Sequence, residues 1–227
     1  MAASNVVGRL ADLARERTRR QRSSAPEWAA GVLRDRIMLG ELLPGDQLSE
    51  KAIMEGLDVS RNTLREAFRL LAHEKLLEHK LNRGVFVRLL DVHDVVDVFK
   101  IRRLIECPAI LEARGDGIDR LDAEVRIGEV AAEQGRWQDV GTANIKFHKA
   151  IGSLLGSPRV DELMGQVLAE LRLVFHGMDD PRSFYEPYLP RNREIVDHLR
   201  DGDRPGAHNL LEDYLADAED QLVSAYR

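Results

Sequence analysis

The chain has 227 residues, of which 44% are hydrophobic, 32% charged and only 5% aromatic, a composition that suits one large domain or two modest ones and leans toward helix. The formal charge is −6 and Cys107 is the single cysteine, which excludes an intrachain disulfide and calls for no oxidising compartment. No run approaches the ~18 consecutive apolar residues of a membrane span, and the arginine-rich N-terminus lacks the apolar core of a signal peptide, so a cytoplasmic protein without membrane contact is expected.

The charge is unevenly placed. Residues 1–90 hold 16 Lys and Arg against 12 Asp and Glu, a net of +4, and the remainder holds 17 against 27, a net of −10. A basic front and an acidic back suit a front that meets a polyanion. Most of the excess lies before Pro26, so charge alone says little.

Residues 1–25 show little apolar periodicity and read as a mobile basic arm. Pro26 fits the first turn of a helix, where its missing N–H costs nothing. Trp28, Val32, Leu33 and Ile37 follow at helical spacing, and Gly40 suits the end of that helix. Leu43-Pro44-Gly45-Asp46 reads as a turn. Ser49 is placed to cap a short helix from Glu50 to Gly56, and Ser60 to cap the next. The second helix would bury Leu64, Ala67, Phe68 and Leu71 on one stripe and present Arg61, Asn62, Arg65 and Arg69 on the other. Two β-prone runs, residues 77–81 and 85–89, flank Asn82-Arg83-Gly84 and read as a hairpin. Helix, helix-turn-helix, hairpin is the order of a winged helix.

From Asp91 onward no strand pattern is found. Six helices are expected, at about 93–114, 119–134, 137–155, 158–176, 187–200 and 204–226, with Pro181 through Pro190 as a break. Ser157 and Asp203 are suitable helix starts. The expected fold is mostly α: an N-terminal winged helix-turn-helix over 26–90 and an all-helical antiparallel bundle over 91–227.

The second helix has the polar, cationic N-terminal face that a major-groove helix needs. Arg61 and Arg65 stand one turn apart and could each take a guanine in bidentate fashion, worth ~1–3 kcal/mol of discrimination. Asn62 and Thr63 could reach adenine edges or phosphates, Lys51 a phosphate, and the wing tip around Arg83 and Gly84 the minor groove or backbone. Ser60 anchors the whole turn. A solvated helix face with two arginines is the plain alternative, and only the ordered set of turn, capped helix and Gly-tipped hairpin argues against it.

The stretch Leu42 to Lys51, the stretch Leu57 to Ala67 and the wing Asn82-Arg83-Gly84 resemble the GntR family of bacterial regulators over about residues 28–88. The resemblance implies a homodimer on a short palindromic operator of double-stranded DNA. It also implies DNA contacts from Lys51, Arg61, Thr63, Arg65 and Gly84. Lys51 stands where the family often has Arg; lacking the bidentate fork, it suits a phosphate better than a base.

The back half resembles the FadR-type ligand-binding domain in its shorter six-helix form, through Arg102 to Glu106, Asn144 to His148 and Asn192 to Asp203. Many such domains hold a divalent metal with one Asp and three His. Those positions fall here on Asn144, His148, Asn192 and Tyr214. Amides and a phenol of pKa ~10 are poor donors for a transition metal, so no metal and no other cofactor is expected. Together with Arg102, these four side chains lie on inward stripes. Either they satisfy one another as a dry core network or they line an effector pocket, in which Arg102 and His148 would hold a carboxylate. Cys107 reads as core packing.

The functional expectation is a ligand-responsive repressor that senses a small organic acid or its thioester. A metal sensor of the same fold is one alternative and an enzyme another. The sequence contains no G-x-S-x-G, P-loop, H-E-x-x-H or dinucleotide fingerprint to support the latter.

Overall fold

The computed structural model describes residues 24–176 and 180–225. All of the expected basic arm except Ser24 and Ala25 lies outside the described residues. The chain divides into two compact units. Unit 1 comprises 24–89 together with 172–176, and unit 2 comprises 90–171 with 180–225.

Unit 1 begins with α1, Ala25–Met38. The first helix thus starts one residue before Pro26. The Ser24 side chain accepts from the Glu27 N–H, and Glu27 reaches back to the Ser24 N–H, closing a capping box. The buried face holds Trp28, Val32, Leu33 and Ile37, the expected stripe. Asp46 closes the following turn by accepting from the Leu43 N–H at 2.8 Å.

Next come β1, Gln47–Leu48; α2, Glu50–Leu57; and α3, Arg61–His73. Ser49 and Ser60 cap α2 and α3, each by accepting a backbone N–H three residues on. Asp58 ends α2 in the left-handed region at φ 56°, a conformation that Asn and Asp tolerate better than most residues. Leu64, Ala67, Phe68 and Leu71 bury the inner face of α3, and α1 and α3 pack together.

The hairpin is β2, Leu77–Lys80, and β3, Gly84–Val87, paired antiparallel with Lys80 opposite Gly84. β1 adds to the far side of β3, Gln47 opposite Phe86 and Leu48 opposite Val85, so the strand order is β1-β3-β2. β1 lies outside every expected element. Two residues carry no periodicity, and their strand character comes entirely from the partner edge.

Unit 2 is helical throughout its described residues: α4, Val92–Leu111; α5, Gly115–Glu133; α6, Trp137–Ser153; α7, Pro158–His176, whose last turn belongs to unit 1; α8, Pro181–Tyr185; α9, Tyr188–Arg200; and α10, Arg204–Ala225. α5 packs on α6 and α9, α4 on α6 and α10, and α9 on α10. Asp91 caps α4 with Asp94 in a capping box, and Asp203 caps α10 by accepting from the Gly206 N–H.

One correction concerns α8, which occupies part of the expected break at 181–190. Asp180 caps it through the Arg182 N–H, and Tyr185 packs against Gly141 of α6. A Cβ at Gly141 would come within 2.6 Å of the Tyr185 ring. The short helix is therefore held by a tertiary contact that no local pattern announces. A second correction concerns the helix expected over 137–155. α6 ends at Ser153, and Leu155 is 38% exposed beyond it.

Candidate functional site

Two groups of the expected functional residues come together, one in each unit. In unit 1 the side chains of Ser60, Arg61, Asn62 and Arg65 are exposed and Thr63 is half-buried. Ser60 Oγ and Thr63 Oγ1 lie 2.9 Å apart, so the cap also fixes the Thr63 rotamer. Among the described residues Arg61 and Arg65 make no ion pair, whereas Arg69, farther along α3, pairs with Glu66 at 2.5 Å. Two cations at the start of α3 are thus left available to a partner from outside.

Lys51 is 85% exposed and its ammonium is 4.0 Å from Glu55, a pairing too loose to hold it. At the wing tip Asn82 has φ 57° and Gly84 φ 98°. The Gln47 amide donates to the Arg83 carbonyl at 2.6 Å and ties the tip to β1. Arg83 is exposed, with its guanidinium 5.8 Å from the Phe86 ring. The available cations therefore sit at the N-terminus of one helix and the tip of one hairpin, an arrangement fit for a groove and its flanking phosphates.

In unit 2, Arg102, His148, Asn192 and Tyr214 are each at most 2% exposed, and Asn144 is half-buried. They form two hydrogen-bonded clusters. In the first, Arg102 Nε donates to one oxygen of Glu106 at 2.7 Å, and His148 Nδ1 meets the other at 2.6 Å. Burial pushes the Glu106 carboxyl up, but the Arg102 guanidinium and the hydrogen bonds from Arg102 and His148 outweigh it and hold it below the usual range. Burial depresses the His148 imidazole against the pull of Glu106. The consistent state is an ionised Glu106 between a guanidinium and a neutral imidazole that donates from Nδ1. In the second cluster, Asn144 Oδ1 accepts from Asn192 Nδ2 at 2.7 Å and from the Tyr214 hydroxyl at 3.0 Å. The His148 and Tyr214 rings meet edge to face, centroids 5.0 Å apart, and join the two clusters.

Glu106 closes the Arg102 to Glu106 stretch that carries the resemblance but is not among the expected site residues. It is fully buried and lies one turn after Arg102, a spacing at which opposite charges meet on a helix face. That spacing was the available signal. Arg102 and His148 both engage this internal carboxylate, through Nε and Nδ1 respectively.

Among the described residues the networks leave three of their buried atoms without a hydrogen-bond partner: Arg102 Nη2, His148 Nε2 and Asn192 Oδ1. His148, with a carboxylate on Nδ1 and Nε2 open, has the arrangement of a metal-bound imidazole. The remaining positions do not fit a transition metal. Asn144 Oδ1 already takes two donors, and burial raises the Tyr214 hydroxyl far above its ordinary range, so it keeps its proton. Among the described residues no group of three His, Cys, Asp or Glu is placed to hold an ion. Cys107 is 8% exposed, and burial pushes its thiol up to about 11, which keeps it an inert core residue at neutral pH.

Beside the second cluster lies a pocket of about 250 Å3, open solvent included. Its walls are Glu124, Val125 and Gly128 of α5, Val140, Ala143, Asn144 and Phe147 of α6, Tyr185 of α8, and Leu189 and Asn192 of α9. Arg102, Glu106 and His148 are not among them. Among the described residues no helix is long and apolar enough to cross a membrane.

Residues 27–87 match the model of the bacterial regulatory proteins of the gntR family, and residues 97–217 match that of the FCD domain. The chain is similar to a putative GntR transcriptional regulator from Rhodococcus sp. RHA1, with a TM-score of 0.86 and 46% identity, covering 90% of this chain and all of the other. It is 26% identical over 199 residues to the galactonate operon transcriptional repressor of Escherichia coli K12, across 76% of this chain and 86% of the repressor. It is 28% identical over 204 residues to an uncharacterized HTH-type regulator of Streptomyces ambofaciens, across 84% and 81% of the two chains.

Proposed function

The chain belongs to the GntR family of bacterial regulatory proteins and carries an FCD domain behind its helix-turn-helix, and from that premise we propose that it is a ligand-responsive transcription repressor that binds a short palindromic operator as a homodimer. The observation that carries the reading is the pair Arg61 and Arg65, exposed and, among the described residues, free of ion pairs at the capped N-terminus of α3. In the complex α3 enters the major groove and the two guanidinium groups read base edges. Asn62 and Thr63 add polar contacts at the same end. Lys51 meets phosphate, and Arg83 with the close-approaching backbone of Gly84 meets the adjacent groove. The repressor sense follows its relatives, among them the galactonate repressor and the repressor RspR of Escherichia coli.

The helical unit takes a small-molecule effector. A typical coupling of ~1–3 kcal/mol between such a site and DNA changes operator affinity about five- to 150-fold. No transition metal takes part in this reading, because three of the four positions that hold one in many such domains are Asn144, Asn192 and Tyr214. His148 Nε2 is the observation that favours the metal-sensor alternative, and elemental analysis of the purified protein separates the two. Stoichiometric zinc or nickel would support the alternative.

The test of the main reading is a gel shift with the promoter DNA of the protein's own operon. A salt-sensitive complex of dimer stoichiometry is expected. The double variant Arg61→Ala, Arg65→Ala should lose most of that affinity, and unchanged affinity would remove α3 from the groove.

A further inference from the structure

The turn at the wing tip carries an apolar side chain where its geometry asks for none. Lys80 pairs with Gly84 across the hairpin, and the Arg83 N–H donates to the Lys80 carbonyl at 2.9 Å. Leu81 and Asn82 are therefore the two central residues of the turn. Asn82 suits its place: at φ 57° it takes the left-handed conformation that Asn tolerates. Leu81 has no such reason to be there. It is 89% exposed, against 76% for Leu104 and 70% for Leu39, the large hydrophobic residues that come next among those described.

The tip is also held in place. The Gln47 amide donates to the Arg83 carbonyl at 2.6 Å and ties the turn to β1. The Lys80 ammonium lies 2.9 Å from Glu78 and 4.8 Å from the Phe86 ring centroid, and the Arg83 guanidinium is 5.8 Å from the same ring. Both cations flank the hairpin, while the isobutyl group of Leu81 stands clear of the protein. A side chain presented on a fixed turn loses less freedom on docking than one on a loose loop.

With α3 in the major groove, the neighbouring surface open to a hairpin tip is the minor groove. It is ~6 Å wide, room for a side chain but not for a helix. Its walls are the C–H groups of deoxyribose, and leucine is among the apolar residues that proteins place there. Its floor tells base pairs apart by one group: A·T presents acceptors only, and G·C adds the guanine 2-amino donor. Leucine cannot accept that hydrogen bond, and covering the amino group would take it out of water with nothing in return.

We propose that Leu81 is a specificity-determining residue of the wing, its side chain seated in the minor groove against the sugar walls, where it selects A·T over G·C pairs by rejecting the guanine 2-amino group. The assignment rests on the reading of the chain as a DNA-binding regulator and adds a second point of sequence readout to that at Arg61 and Arg65.

The test is a gel shift of the full chain on the promoter DNA of its own operon, made once with ordinary nucleotides and once with 2,6-diaminopurine in place of adenine. That base adds a 2-amino group to the minor groove and keeps the major-groove edge of adenine. The wild type should bind the substituted fragment about tenfold more weakly, the effect of one buried donor without a partner. Leu81→Ala should bind the ordinary fragment about three- to tenfold more weakly than the wild type, because part of an apolar contact is lost, and should tell the two fragments apart by no more than about threefold. Leu81→Met, which restores apolar bulk, should recover affinity and discrimination. Thermal unfolding of Leu81→Ala should match the wild type, since a side chain this exposed holds nothing in place. Equal binding of the two fragments by the wild type, the same ratio for the wild type and Leu81→Ala, or a lowered melting temperature that accounts for the loss would each overturn the assignment. No shift of the ordinary fragment by the wild type would remove the regulator reading and this assignment together, whereas a shift with an unchanged ratio removes the assignment alone.

Discussion

In unit 1, Arg61 and Arg65 stand exposed and, among the described residues, without an ion pair, held at the surface by a capped helix. In unit 2, Arg102 is 2% exposed and shares Glu106 with His148. The same residue type therefore does opposite work. A surface guanidinium contributes little to folding and remains available for a polyanion. A buried one is tolerated only because a carboxylate accompanies it. The difference teaches where mutation should be read as a change in stability and where as a change in binding.

The sharpest break would come at Glu106. Glu106→Leu leaves the Arg102 charge buried without a partner, and removing one member of such a pair costs ~3–5 kcal/mol. Urea unfolding of the full chain should register that loss in the transition that reports unit 2. A loss near zero would mean that the cluster is hydrated and that the contrast between the units is overstated.

The opposite case is Arg61→Ala with Arg65→Ala. Each lost base contact is worth ~1–3 kcal/mol in operator binding, while surface substitutions of this kind shift stability by no more than ~0.5 kcal/mol. Gel shift and thermal unfolding, run side by side, test both halves of the statement. Lys51→Ala sharpens it further: binding should weaken to a similar degree on cognate and unrelated DNA, and the salt slope should fall by about one.

Intermediate effects are expected where backbone geometry supports the binding surface. Gly84 sits at φ 98°, and a side chain there carries a strain of ~1–3 kcal/mol. Gly84→Val should lower both the melting temperature and operator affinity, unlike either arginine variant. The smallest effects belong to the caps. Ser60→Ala and Asp203→Ala should each cost ~1 kcal/mol. Only Ser60→Ala should also weaken DNA binding, because its helix carries the contact residues. Equal effects of the two on operator affinity would show that the cap at Ser60 does not position Arg61.

Much of the fold was legible before any coordinates. Ser49, Ser60 and Asp203 announced helix starts, because a side chain that competes for backbone N–H groups is useful at few other places. Leu64, Ala67, Phe68 and Leu71 announced the buried face of α3 by their spacing. Asn82-Arg83-Gly84 announced a hairpin, because Asn and Gly accept the positive φ such a turn requires. In unit 2 Gly135, Pro158 and Gly202 marked helix boundaries, but α4 runs through Pro108 and α5 starts at Gly115, four residues before its expected start. The site was less legible. Asn144, His148, Asn192 and Tyr214 do gather as two linked clusters. Glu106 lies one turn from Arg102, but a helical Glu near an Arg is ordinarily a solvated pair, and only the packing shows this one buried.

What the sequence determined by itself was local: caps, turns, helical stripes and the hairpin, along with the recognition motifs that name the family. These depend on residues within about one turn of each other, so the chain records them directly. What only the tertiary structure decided were matters of partnership. β1 exists because β3 offers it an edge, and α8 because Gly141 leaves room for the Tyr185 ring. Arg102 and His148 meet on Glu106, 42 residues from His148 along the chain. The physical reason is one and the same. A side chain's propensity is local, but the partner that satisfies a buried charge or donor is chosen by packing, and packing joins residues that the sequence keeps apart.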